Sequence, residues 1–130
     1  FKKINDRYGH AFGDKMLVLI GTTLKKAVRN NDMACSLGGE EFLVICPNSD
    51  LRATVIAADR LRQAIKALEV SVLGETLDLT VSIGVAHKEL ATPDTDALML
   101  NADKALYAAK STGRNRVCFM TKGKLHQRPV

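Results

Sequence analysis

The run Ser36-Leu37-Gly38-Gly39-Glu40-Glu41-Phe42-Leu43-Val44-Ile45 constrains this chain more than any other stretch. Two adjacent glycines can take positive φ, where residues with a Cβ are strained. The backbone can therefore reverse there and bring the flanking apolar runs together as a strand pair. A turn without Cβ atoms also lets a bulky anionic ligand approach the bare backbone. Glu40 and Glu41, read as the first residues of the outgoing strand, are expected to point to opposite faces, one carboxylate toward a ligand and the other toward the scaffold. The same residues also fit a plain hairpin with a solvated acidic corner, so their neighbours have to decide.

At 130 residues the chain suits one domain with a core of its own. No apolar run approaches the roughly 20 residues needed to cross a bilayer, and no signal peptide opens the sequence. A cytoplasmic location is expected, with any membrane anchor left to segments absent from this sequence. The opening Phe1-Lys2-Lys3 suggests a fragment of something longer. The formal charge of +5 suits an anionic partner such as a nucleotide, and it is also what many surfaces carry. Cys35, Cys46 and Cys118 are odd in number and form no C-x-x-C pair, which favours reduced core thiols and argues against a zinc site.

Phe1 to Asp14 reads as a polar lead-in, with Asp14 capping a helix to about Arg29 whose buried face carries Leu17, Ile20, Leu24, Ala27 and Val28. The hairpin strands follow, near Met33 to Ser36 and Glu41 to Cys46. Pro47-Asn48-Ser49-Asp50 breaks the pattern and starts a helix to about Leu68, with Ile56, Leu61, Ala64, Ile65 and Leu68 inward. A short strand at Val70 to Leu73 turns at Gly74-Glu75 into a longer one at Thr76 to Ala86. Thr92-Pro93-Asp94 opens a third helix to about Ser111 with a stripe of Leu98, Ala102, Ala105, Leu106 and Ala109. Arg116 to Met120 is a last strand, and Lys122 to Val130 a polar tail. This order predicts an α+β fold with helices packed on a mostly antiparallel central sheet.

Gly38-Gly39-Glu40-Glu41-Phe42 resembles the signature of the GGDEF family, the diguanylate cyclases, and three further blocks stand in the matching order. Asn5-Asp6-Arg7-Tyr8-Gly9-His10 with Gly13-Asp14 is similar to one segment of the family. Leu79 to Ala86 is similar to a long strand, and Ala102 to Lys110 with Gly113-Arg114-Asn115 to the closing helix and loop. The resemblance implies a nucleotidyl-cyclase-like sandwich over residues 1–121, with 122–130 as a tail. It also implies that a central strand and a metal-binding Asp belong just upstream of Phe1.

What the resemblance implies for function is condensation of two GTP molecules to cyclic di-GMP with loss of pyrophosphate. The reaction requires a homodimer, since each domain holds one GTP, and a sensory or receiver domain on the N-terminal side would control it. Mg²⁺ or Mn²⁺ is the implied cofactor, because hard oxygen ligands suit it. Glu40 is the implied metal ligand and catalytic carboxylate, with Glu41 the second catalytic candidate. Gly38 and Gly39 line the substrate. Asn5 and Asp14 are assigned to guanine, whose mixed donor and acceptor edge suits an amide and a carboxylate, and Lys2, Lys110 and Arg114 to phosphate. Arg29 and Asp32, with five residues between Asp32 and Gly38, match the family's product-inhibition site, and Arg60 is a candidate partner. Ser36 departs from the pattern, which usually has Arg two residues before the glycines.

Each residue also has a plainer reading: a turn Asn, a helix-capping Asp, solvated cations at helix ends, a helix-ending Arg beside a turn Asp. His10 reads as structural, with no nucleophile beside it. A second function fits the same motifs, namely an inert relative that senses GTP or cyclic di-GMP. A nucleic-acid partner is not expected, because an RNA-reading sheet displays stacking aromatics, whereas Thr80 to Ala86 has none and Arg116 to Met120 offers only Phe119.

Overall fold

The computed structural model describes residues 2–128 and, of Lys2, the backbone alone. The chain divides after Asn48 into two compact units.

In the first unit α1 (Lys2–Tyr8) and α2 (His10–Ala27) precede a hairpin of β1 (Met33–Gly38) and β2 (Glu41–Ile45). The expected polar lead-in is helical instead. Its break falls at Gly9, whose φ of 89° only glycine adopts without strain. Gly9 is the N-cap of α2 and supplies no side-chain cap, so Asp14 sits a turn inside the helix and does not cap it. The buried stripe is Gly13, Met16, Ile20 and Leu24, at helical spacing. Of the expected stripe, Leu17 and Val28 are half-buried and Ala27 is exposed. Gly21 lies under the Phe42 ring, where a Cβ would sit 3.5 Å from Cε1, and this seats the hairpin against α2.

The second unit begins with α3 (Leu51–Lys66), capped by Asp50 Oδ1 accepting from the Ala53 N–H at 2.7 Å. Its inward face is Val55, Asp59, Arg62 and Ile65, so of the five expected inward residues only Ile65 is fully buried. An apolar count passes over Asp59 and Arg62, which are buried because they neutralise each other. β3 (Val70–Val72) and β4 (Glu75–Leu77) form a hairpin through Leu73 and Gly74, both at positive φ as a type I′ turn requires. The longer strand expected at Thr76 to Ala86 is interrupted, since residues 78–82 find no ladder partner among the described residues and strand order resumes at β5 (Ile83–Ala86).

α4 (Thr95–Ser111) starts where Asp94 Oδ1 accepts from the Ala97 N–H at 2.8 Å, as the Thr-Pro-Asp signal predicts. It carries the chain from β5 to β6 (Val117–Thr121), which lies parallel to β5. A parallel pair needs such a crossover. Gly84 makes the packing close, because a Cβ there would run into the backbone of Ala102 and Leu106. Val55, Val85 and Val117 form the core between α3 and this sheet. The expected tail contributes β7 (Lys124–Gln127), antiparallel to β6.

The α+β class is borne out, and among the described residues every ladder but β5–β6 is antiparallel. The described strands stand in three small sheets. The expectation of three core thiols holds for Cys118 alone, as Cys46 is half-buried and Cys35 exposed.

Candidate functional site

The hairpin of the first unit pairs in register from Met33↔Ile45 to Ser36↔Phe42, then shifts so that Gly38 faces Glu41. The shift is what two left-handed glycines permit, with φ of 112° at Gly38 and 57° at Gly39. Nothing lies within 4 Å of where a Cβ would stand on either, so the backbone of the turn is open to a ligand. Glu40 belongs to the turn and Glu41 opens β2, and both are exposed. Strand alternation, expected to throw the two carboxylates to opposite faces, therefore does not govern Glu40.

Asn5 lies in α1, half-buried, with its backbone carbonyl accepting from the Gly9 N–H at 2.9 Å. Asp14 is exposed on α2. A cleft of about 450 Å³ in this unit runs from Leu17, Gly21 and Lys25 on α2 to Ser36, Gly39 and Phe42 on the hairpin. Gly21 and Lys25, which line this cleft, carry no signal in the sequence, since a glycine and a lysine inside a helix read as indifferent. A second cleft of about 410 Å³ is lined by Lys25, Arg29, Asn30, Asp32 and Met33.

There the structure brings Arg29 and Asp32 into contact. Arg29 Nη2 donates to Asp32 Oδ1 at 3.0 Å and its backbone N–H to Oδ2 at 2.9 Å, while Nη2 also reaches the Pro47 carbonyl at 3.3 Å. The Arg29 hydrogen bonds hold the Asp32 carboxyl below the usual carboxylate range. Burial pushes the nearby Cys46 thiol up.

In the second unit Lys110 is half-buried in the last turn of α4, and Arg60 is exposed on α3. Arg114 stands in the loop beyond α4 at φ 64°, its N–H donating to the Ala109 carbonyl at 2.9 Å. Lys2 lies outside the described side chains.

Among the described residues no three His, Cys, Asp or Glu side chains stand close enough together to cage a metal ion. Mg²⁺ favours a mode in which one or two carboxylates hold it and substrate phosphates and water complete the shell. Glu40, exposed in a turn of open backbone, offers one carboxylate of that kind.

The site is thus a glycine-turn hairpin bearing two exposed carboxylates, and the chain also carries a parallel β-α-β unit. A family model for the diguanylate cyclase GGDEF domain matches residues 1–116, and the chain belongs to that family. It is 39% identical over 117 residues to Diguanylate cyclase A of Treponema denticola, covering 90% of this chain and 32% of that protein. The GGDEF domain of DgcB from Caulobacter crescentus, solved in complex with c-di-GMP, superposes with a TM-score of 0.85 at 29% identity, over 91% of this chain and 70% of that one. The active GGEEF domain of a diguanylate cyclase from Vibrio cholerae superposes with a TM-score of 0.84 at 28% identity, over 93% of this chain and 76% of that one. The chain spans about a third of the length of the curated relatives it matches first.

Proposed function

We propose that this chain is the catalytic domain of a diguanylate cyclase, residues 1–121, which condenses two GTP molecules into cyclic di-GMP as a homodimer. The observation that carries the reading is the Gly38-Gly39-Glu40-Glu41 turn, whose backbone is open and whose carboxylates are exposed. The 3′-oxygen of each GTP bonds to the α-phosphorus of the other as the α–β phosphate linkage breaks. Two pyrophosphates leave, and each hydroxyl gives up its proton.

Glu40 is the residue that would hold Mg²⁺ or Mn²⁺. When bound, the ion would supply neutralisation of phosphate charge and a more acidic hydroxyl. Glu40 also stands as acceptor for that proton, with Glu41 beside it in the chain. Asn5 and Asp14 read the guanine edge, the amide giving and taking a hydrogen bond while the carboxylate accepts from N1–H and N2–H₂. Lys2, Lys110 and Arg114 are cations for phosphate oxygens, Lys as a point charge and Arg with two parallel donors. Arg29 and Asp32, with Arg60, bind the product as an inhibitor, and the cleft beside Arg29 and Asp32 supports this. In the full-length protein an N-terminal sensory or receiver domain controls pairing of the cyclase domains in the cytoplasm.

Calorimetry with GTP and Mg²⁺, followed by chromatography of the mixture, tests the proposal. Binding of GTP with formation of cyclic di-GMP and pyrophosphate is expected. Binding without turnover in the full-length protein would make it a sensor of GTP or cyclic di-GMP.

A further inference from the structure

The loop that follows α4 holds three consecutive residues at positive φ: Gly113 at 129°, Arg114 at 64° and Asn115 at 46°. Only the first is a glycine. Left-handed backbone at residues with a Cβ is unfavourable and persists only where the surroundings over-determine it.

Two arginines hold this loop. Arg62, inside α3 and only 5% exposed, donates from Nη1 to Asn115 Oδ1 at 3.0 Å. Its Nε donates to Asp59 Oδ1 at 2.8 Å. Asp59 is itself fixed on the other oxygen, where Oδ2 accepts from Gln63 Nε2 at 2.9 Å and stands 3.4 Å from Arg128 Nε. The second clasp is Arg116, whose Nε donates to the Arg114 carbonyl at 2.9 Å and whose guanidinium covers Gly113 so closely that a Cβ there would collide with it. Arg114 is thus held at its own carbonyl, at its N–H and through its neighbour's side chain, while its guanidinium is exposed.

A buried arginine is costly unless its donors are used, and a solvated helix face has no need of one. We propose that Arg62, oriented by Asp59, and Arg116 are positioning residues that fix the left-handed loop and so aim the Arg114 guanidinium at nucleotide phosphate. The inference rests on the reading of Arg114 as a phosphate ligand. A preset guanidinium binds phosphate without first losing the freedom of a mobile loop, so the device acts on substrate binding more than on the chemical step.

The test is steady-state kinetics on the full-length protein with Mg²⁺-GTP, using variants of Asn115. Gly accepts the backbone angle but offers Arg62 no acceptor, whereas Asp keeps both the angle and the acceptor. Asn115→Gly is expected to raise KM about tenfold with kcat within about threefold, and Asn115→Asp to return KM to within about threefold of the parent. In an Arg114→Ala background, Asn115→Gly should add less than about twofold, because the group being aimed is gone. An unchanged KM in Asn115→Gly, or its full effect persisting without Arg114, overturns the proposal. An unchanged KM in Arg114→Ala alone overturns the phosphate reading beneath it. If Asn115→Gly has no cooperative melting transition, Arg116→Gln is measured in its place, and there too an unchanged KM overturns the proposal.

Discussion

Arg29 and Asp32 are joined by three hydrogen bonds, Nη2 to Oδ1 at 3.0 Å, backbone N–H to Oδ2 at 2.9 Å and Nε to Oδ2 at 3.4 Å. The pair lines a cleft with both carboxylate oxygens already accepting from Arg29, so a ligand entering there has to exchange those bonds for its own. Cyclic di-GMP offers guanine donors to the carboxylate and phosphate oxygens to the guanidinium. Arg29→Ala removes the cation and frees the carboxylate to repel phosphate. The concentration of cyclic di-GMP that half-inhibits turnover should rise about tenfold or more. An unchanged inhibition curve removes this pair from the product site.

Asp59 predicts the acid behaviour of the second unit. Burial works against its charge, but the hydrogen bond and charge of Arg62, with the charge of Arg128, outweigh that and keep the carboxyl below the usual range. A depressed folded pKa contributes stability that is complete above the unfolded value of about 3.9 and is lost as pH falls through the lower folded value. Asp59→Ala should therefore cost about 3 kcal/mol near neutral pH, where it leaves Arg62 buried and unpaired. The gap between parent and variant should narrow below a pH of about 4. Urea unfolding at several pH values measures it, and a gap constant down to about pH 3 contradicts the assignment.

Gly84 fixes how near α4 lies to β5. A methyl group there has only the backbone of Ala102 and Leu106 to push against, with no flexible side chain to give way. Gly84→Ala should lower stability by about 3 kcal/mol, the upper end of the usual cost of overpacking. Thermal unfolding reads the loss, and an unshifted midpoint means that the helix stands further off.

Local chemistry was the most legible part of this chain. Asp50 and Asp94 each cap the helix that the sequence starts beside them, and the glycine pair turns the hairpin as its freedom requires. What was hidden depends on partners far along the chain. Asp14 has the composition of a cap, but Gly9 five residues earlier ends one helix and starts the next. The inward face of α3 runs through Asp59 and Arg62, which an apolar stripe cannot include and which Asn115, 53 residues on from Arg62, helps to satisfy. β7 is exposed along its whole length, and its pairing with β6 rests on backbone hydrogen bonds and a stack of His126 on Phe119 that composition does not record. The motif residues were readable through the resemblance to the family, which runs in four ordered blocks, Asn5 to Asp14, Gly38 to Phe42, Leu79 to Ala86 and Ala102 to Asn115.

The most direct test of the account is product formation from GTP and Mg²⁺ by the full-length protein and by its Glu40→Ala variant, with thermal unfolding run on both. The account predicts cyclic di-GMP and pyrophosphate from the parent and a loss of about a hundredfold or more in the variant at unchanged stability. Normal turnover by folded Glu40→Ala would contradict it.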